Sequence, residues 1–191
     1  MTTFRKALFI TAGLALGMAS VSVIAADATA PPAPAYRDGA HDFDFNIGTW
    51  RTHIKTRAPF STSTNWEEMT GTVTVRKIWG GKASMEEIDA SGKDDHLEGL
   101  TLFLYNPQTH QWSQTWVSSS DGTIDGSAFG EFKDGRGELI QQDTYQGRSV
   151  LVRTVWSDIA PNSHHFQQSY SDDNGRTWLP NFEASLTRLS Q

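Results

Sequence analysis

The sequence predicts an all-β protein, folded as a single antiparallel up-and-down barrel of roughly eight to ten strands. After residue 40 the chain is a series of short runs rich in β-branched and aromatic residues, separated by turn-forming Gly, Pro, Asn and Asp. No window shows the period of a major helix. Seven Trp and ten Phe supply large apolar side chains for an interior. A meander of this length favours a barrel over a sandwich, because closure removes exposed strand edges.

The N-terminal segment predicts export. Arg5 and Lys6 precede an apolar run, residues 7–24, and Val23-Ile24-Ala25 matches the positions that a signal peptidase reads. The alternative is a membrane anchor, but the run contains Gly and Ser and has only about 18 residues, the lower limit for a spanning helix. We expect a periplasmic or secreted bacterial protein. The expected division is a signal peptide over residues 1–25, a Pro- and Ala-rich spacer over residues 26–40 and a barrel domain over residues 41–191.

The charge balance limits the partners of the protein. The chain has 22 acidic and 16 basic residues, a net charge of −6, and signal cleavage would remove two of the basic ones. Nucleic acid and anionic lipid are therefore disfavoured, and we expect no membrane association after cleavage. The chain has no Cys, so its stability must come from a core and not from disulfides. The oligomeric state is left open.

Ten β-type runs follow the spacer, and turn residues end each one. Gly80-Gly81 closes the second run in a tight turn, and Asn106-Pro107 ends the fourth, because proline cannot donate to a strand ladder. The predicted strands cover residues 49–57, 66–79, 82–90, 97–105, 111–118, 124–132, 137–145, 148–156, 163–171 and 177–188.

Residues 41–50 are expected to form the entry to the barrel. Phe43, Phe45 and Ile47 fall at every second position, which is the period of an extended chain that points alternate side chains into a core. Gly48 then supplies a bend before Trp50. In an extended segment Asp42 and Asp44 would share the opposite face, where they would be solvated or would cap the barrel entrance.

Gly-x-Trp at residues 48–50 resembles the opening motif of lipocalins and of the wider calycin group of barrels. The longer pattern Phe-Asp-Phe-x-x-Gly-x-Trp is similar to the opening of a group of secreted bacterial proteins of unknown function assigned to calycin-like barrels. The resemblance continues through the Asn106-Pro107 turn to residues 171–178. It implies a calycin-like barrel with no agreed activity, and it implies that Arg188 stacks on the Trp50 indole, as a last-strand Arg does in lipocalins.

Residues 171–178, Ser-Asp-Asp-Asn-Gly-Arg-Thr-Trp, resemble the Asp-box of sialidase propellers and other secreted β proteins. The resemblance implies a hairpin turn in which Asp173 holds the loop and Trp178 packs below it. The motif occurs once, whereas a propeller needs several blades. We therefore assign Asp173 and Trp178 a structural role and predict no calcium site, since the Ca-loop pattern lacks its further acidic positions.

Local motifs for metal, cofactor or nucleophile chemistry are missing from the sequence. The six His show no His-x-His or His-Glu-x-x-His spacing, and Cys ligands and thiol nucleophiles are excluded. Gly-x-Ser-x-Gly and the phosphate-binding loops are absent as well. Haem occurs in the nitrobindin group of calycin-like barrels through a His near the C-terminus, but no His follows His165 here. We predict no metal and no cofactor.

Polar and aromatic residues inside strong strands mark the candidate ligand site. Glu98 alternates with Leu100, Leu102 and Leu104, and Arg153 alternates with Leu151 and Val155, so each would point the same way as large apolar side chains. Because a buried unpaired charge is costly, either these faces are partly exposed or Glu and Arg pair inside the barrel. The predicted ligand-binding residues are Arg76, Glu87, Glu98, Trp116 and Arg153.

Three functions are compatible with these observations. The first is binding of a small, largely apolar ligand in the barrel without catalysis, favoured by the aromatic content and the missing catalytic motifs. The second is a barrel enzyme, such as a cyclase, isomerase or hydrolase, with Glu87 or Glu98 as acid or base. The third is a structural or partner-binding barrel with a filled interior.

Overall fold

Ten antiparallel strands close into one up-and-down barrel in the computed structural model, which describes residues 36–191. The predicted fold class is confirmed. The predicted signal peptide and most of the predicted spacer lie outside the described residues, and Tyr36–Gln191 forms one compact unit. The strands are β1 (Gly48–Thr56), β2 (Glu67–Ile78), β3 (Ala83–Gly92), β4 (His96–Asn106), β5 (Gln111–Ser118), β6 (Thr123–Lys133), β7 (Arg136–Tyr145), β8 (Arg148–Ala160), β9 (Ser163–Ser171) and β10 (Leu179–Ser190).

Each strand pairs with its neighbours in sequence, and β1 closes the barrel against β10. Alternate turns of such a meander lie at the same end of the barrel. We call the end that carries residues 36–47 and the β2–β3, β4–β5, β6–β7 and β8–β9 turns the closed end. The opposite end, with the β1–β2, β3–β4, β5–β6, β7–β8 and β9–β10 loops, is called the open end. No helix among residues 36–191 is long and apolar enough to span a membrane.

The entry segment is a 3-10 helix (Asp44–Asn46) and not an extended chain. The predicted two-residue alternation is wrong there, because a 3-10 helix has three residues per turn and puts positions i and i+3 on one side. Phe43 and Asn46 are accordingly the buried pair, whereas Phe45 is half-buried. A second 3-10 helix (Trp79–Gly81) forms the β2–β3 turn and leaves Trp79 exposed.

Phe43 plugs the closed end with an aromatic cluster. Its ring lies 4.6–5.0 Å, centroid to centroid, from four other rings, with edge-on geometry in three of the four contacts. Such tilted and edge-on contacts add to the free energy of burying the rings. The four partners come from β4, β5, β6 and β8: Phe103, Trp112, Phe132 and Trp156.

Trp50 and Arg188 hold this plug to the barrel. The Trp50 ring is fully buried, and its Nε1 donates to the backbone oxygen of Asn46 at 2.8 Å. The Arg188 guanidinium carbon lies 3.9 Å from the centre of the Trp50 ring. The same guanidinium donates three hydrogen bonds of 2.7 Å to backbone oxygens, those of Phe45, Ile47 and Pro161.

The barrel wall is incompletely hydrogen-bonded between β6 and β7. Their ladder runs from the Lys133–Arg136 pair at the closed end only to the Phe129–Ile140 pair. Both strands continue toward the open end, to Thr123 and Tyr145. We call the part without ladder pairs, residues 123–128 against residues 141–145, the seam.

Candidate functional site

The barrel encloses a cavity of about 270 Å³ to which all ten strands contribute. An apolar cavity of about 150 Å³ is large enough to bind benzene, so this one exceeds the volume needed for a single aromatic ring. Its volume is close to the lower end of the range for ligand pockets, about 300 Å³. Half of the lining residues have apolar side chains: Val73, Ile88, Leu97, Trp116, Ala128, Val152, Trp156, Phe166, Phe182, Ala184 and Leu186.

Glu86 is the carboxylate toward the closed end of this cavity. It points inward from β3 and accepts hydrogen bonds from Asn46 Nδ2, at 3.0 Å, and from Thr101 Oγ1, at 3.3 Å. No ion pair to Glu86 occurs within residues 36–191. Burial raises the pKa of the Glu86 carboxyl above its ordinary value, and the hydrogen bonds from Asn46 and Thr101 oppose that rise only in part.

His164 also lines the cavity from its closed-end side. The side chain is buried, with its ring edge-on to Trp50 at 4.4 Å and to Phe45 at 5.1 Å between centroids. Its Nδ1 has no hydrogen-bond partner among the described residues. Burial lowers the pKa of His164 to about 4, and the charge of Arg188 adds to that effect. The imidazole is therefore neutral at pH 7.

Thr52 is a second unpartnered polar group in the cavity wall. Its side chain is fully buried, and the described part of the chain offers its Oγ1 no hydrogen-bond partner. The register places Thr52 beside Leu186 and Leu186 beside His164, so the two polar side chains flank one leucine in a row across three strands. The closed-end half of the cavity thus has polar atoms whose hydrogen-bonding capacity is not used.

The open-end side of the cavity is acidic. Asp125 and Asp143 line it beside Tyr170, and neither carboxylate forms an ion pair with another described residue. Burial raises the pKa of Asp125, and the charges of Asp143 and Asp121 raise it further. Burial raises the pKa of Tyr170 to about 12, and the negative charges of Asp143 and Asp125 add to this effect. The phenol is therefore neutral at pH 7.

Trp116 is the one predicted ligand-site residue that lines the cavity, and its contact with a ligand stays a prediction. The predicted interior position of Arg76 and Glu87 is wrong. They form an ion pair of 2.8 Å on the outside of the barrel, with half of each side chain exposed. Since side chains alternate along a strand, the inward Glu86 requires its neighbour Glu87 to point outward.

Glu98 and Arg153 are also on the outer face, contrary to the prediction. Glu98 is exposed and accepts a hydrogen bond of 3.0 Å from Ser119 Oγ. The Arg153 guanidinium lies 4.3 Å from the centre of the Trp178 ring. The outer face of β4 carries three half-buried leucines, Leu100, Leu102 and Leu104. Its composition therefore resembles that of an inner face.

Asp173 organises the β9–β10 turn that supports Trp178. Its Oδ1 accepts hydrogen bonds from the backbone N–H groups of Arg176 and Thr177, both at 2.9 Å, and from Ser171 Oγ at 2.8 Å. Hydrogen bonds from Thr177 and Ser171 lower the pKa of Asp173 to about 2. The turn residues lie outside the cavity, and their structural role stays a prediction.

Comparison with known proteins identifies the fold and no family. No protein-family model matches the chain, and no curated protein is similar to it in sequence. The S-type phycobiliprotein lyase CPES from Guillardia theta has a similar structure, with a TM-score of 0.52 and 13% identity over 76% of this chain and 89% of that one. A de novo designed fluorescence-activating β-barrel aligns with a TM-score of 0.42 and 14% identity over 80% of this chain and 99% of the design. The likeness to the lyase shows the fold alone, a lipocalin-like antiparallel barrel.

Proposed function

We propose that the protein binds a small, largely apolar molecule inside its barrel. The observation that carries the proposal is the interior cavity of about 270 Å³, whose wall combines aliphatic and aromatic side chains with polar ones. Ligand sites are concave, mostly apolar and supplied with a few polar groups that fix orientation. The fold shared with a phycobiliprotein lyase is consistent with this use of a barrel, but the cavity itself carries the proposal.

Mass spectrometry of compounds that co-purify with the protein tests the proposal. Ala184 is buried and lines the cavity, so Ala184→Leu adds volume where the ligand would lie. Ser185→Leu makes a similar change on the outer face of the same strand. We expect Ala184→Leu to deplete the bound compound and Ser185→Leu to retain it. Equal retention in both variants would show that the compound binds elsewhere.

Catalysis by an interior carboxyl is the second candidate. It is favoured by Glu86, whose pKa is raised inside the cavity, a property of many acid and base catalysts. His164 is a neutral group on the same cavity wall. Incubation of the recovered compound with fresh protein separates the candidates. A compound returned unchanged indicates binding, whereas conversion that Glu86→Gln abolishes indicates an enzyme.

We also propose that the protein is exported and cleaved after Ala25. The support is the basic start, the apolar run and the small residues before the cleavage position in residues 1–25. N-terminal sequencing of protein from the periplasmic fraction should begin at Ala26. An intact Met1 in the membrane pellet would contradict the proposal.

A further inference from the structure

The side chains of the cavity that ionise near neutral pH are acidic, apart from one histidine. Among the described residues that line it, the groups able to ionise near neutral pH are three carboxylates, Glu86, Asp125 and Asp143, together with His164. The imidazole is neutral for the reasons given above, and no Lys or Arg of residues 36–191 lines the cavity. A carboxylate on a ligand would therefore meet repulsion and find no cationic partner.

Glu86 has acceptor capacity that the protein leaves unused. A carboxylate offers about four lone-pair sites, and Glu86 receives one hydrogen bond on each oxygen, from neutral donors only. Without a cationic partner among the described residues, the buried Glu86 carboxyl has a raised pKa, because an unpaired charge inside a barrel is unfavourable. A donor that carries positive charge would supply both the missing hydrogen bond and the missing charge, and charge-assisted hydrogen bonds are roughly twice as strong as neutral ones.

His164 and Thr52 give independent support for a polar ligand group at this end. Both side chains are buried, both line the cavity, and each has a side-chain atom without a hydrogen-bond partner in the part of the chain that the structure describes. Buried polar groups are hydrogen-bonded in the great majority of cases. Two such groups in one cavity wall therefore offer hydrogen-bonding capacity that a polar group of a ligand can use.

We infer that the ligand is an apolar molecule with a basic nitrogen, and that this nitrogen binds Glu86 near the closed end of the cavity. The inference rests on the proposed function, since it names the chemical class of the ligand in the same cavity. The apolar body lies against the aliphatic and aromatic wall, and the ammonium or amidinium group donates to Glu86. Asp125 and Asp143 favour entry of a cation from the open-end side by their sign. Fatty acids and other anionic apolar molecules are disfavoured.

Three ligands that share an apolar body and differ in one group provide the test: 1-naphthylmethylamine, 1-naphthalenemethanol and 1-naphthoic acid. Binding to the purified protein is measured by calorimetry at pH 7. We expect the amine to bind most tightly and the acid most weakly. Loss of one charge-assisted hydrogen bond in Glu86→Gln should weaken amine binding by about 10- to 100-fold and leave alcohol binding nearly unchanged.

Glu87→Gln is the matched control, because Glu87 is adjacent in sequence but points outward. It should leave the affinities for all three ligands unchanged. Acid binding as tight as amine binding, or an amine affinity that Glu86→Gln does not change, would overturn the inference while the proposed function stands. Binding of none of the three would overturn both. If Glu86→Gln fails to fold by circular dichroism, the ranking of the three ligands by the unmodified protein decides.

Discussion

Arg188 joins three parts of the closed end at a single side chain. Its guanidinium stacks on Trp50 and donates to backbone oxygens of the entry segment and of the β8–β9 turn. These carbonyls lie outside regular ladders, so the Arg188 hydrogen bonds satisfy acceptors that the strands leave free. The residue therefore stabilises the plug as well as the β1–β10 closure.

Arg188→Ala should lower the melting temperature strongly. The variant loses a stacked cation and hydrogen bonds from a charged donor, together about 3 kcal/mol or more, which corresponds to roughly 6–12 °C in a domain of this size. Arg136→Ala is the control, because Arg136 forms only an exposed pair with Glu138, and such pairs contribute about 0–1 kcal/mol. Thermal unfolding followed by circular dichroism gives both shifts. Equal shifts would show that the Arg188 contacts do not stabilise the folded protein.

Single residues with a strong local signature were the most predictable part of the molecule. Trp50 and Asp173 belong to short motifs whose geometry is set within a few residues, and the structure shows their contacts directly. Glu86 has no such signature. Its neighbour Glu87 has the same charge and strand propensity, and only the alternation of Ile88 and Ala90 inward with Glu87 and Asp89 outward distinguishes the two.

At the scale of the strands, the unknown register limits what the sequence predicts about which side chains point inward. The strand bounds follow from turn chemistry and β propensity, and the predicted runs overlap all ten observed strands. The faces of β4 were not predictable from composition, because Leu100, Leu102 and Leu104 lie outside while Thr101 and Phe103 lie inside. An error of one residue moves the whole set of side chains to the other face. This is why Glu98 was predicted inside and is found outside.

Amide hydrogen exchange should reveal the seam between β6 and β7. Backbone N–H groups of residues 123–128 and 141–145 that point into the seam lack ladder partners, so they should exchange much faster than those of residues 129–133 in the same strand. The β2–β3 ladder, paired from Met69 to Ile78, is the control. Mass-spectrometric exchange of peptides from both regions gives the comparison. Equal protection along the whole of β6 would mean that the seam is hydrogen-bonded in solution.

The cavity is a property of the whole barrel and could not be predicted from any one segment. Its volume depends on side chains from all ten strands, and replacing small wall residues such as Ala128 and Ala184 by large ones would reduce it. The aromatic content can be counted from the sequence, and the sequence predicts the closed fold. The sign of the cavity charge depends on which carboxylates point inward. It cannot be predicted without the strand register.

Glu86 should make the unfolding free energy of the whole protein fall as pH rises. Its pKa is raised in the folded state, so the folded protein holds the proton more tightly than the unfolded chain, and this contribution is lost as pH rises through the folded-state pKa. As pH rises from 4 to 7.5, the unfolding free energy of Glu86→Gln should therefore increase relative to that of the unmodified protein. Urea unfolding at both pH values measures the difference, with Glu87→Gln as control. A difference that is independent of pH would contradict the raised pKa.

His164 should act on stability with the opposite sign. Burial lowers its pKa from 6.5 to about 4 in the folded state, so the unfolded chain binds the proton more tightly. The stability that neutral His164 allows is therefore present above pH 6.5 and is lost as pH falls toward 4, by an amount on the order of 3 kcal/mol. His164→Phe keeps an aromatic ring beside Trp50 and removes the titrating group, so its stability should fall less over this interval. His165→Phe, a neighbouring change that leaves His164 in place, should retain most of the decline, because His165 makes the smallest of the three contributions to the lowered His164 pKa. If His164→Phe lost as much stability as the unmodified protein between pH 6.5 and 4, the buried imidazole would not be the group that titrates.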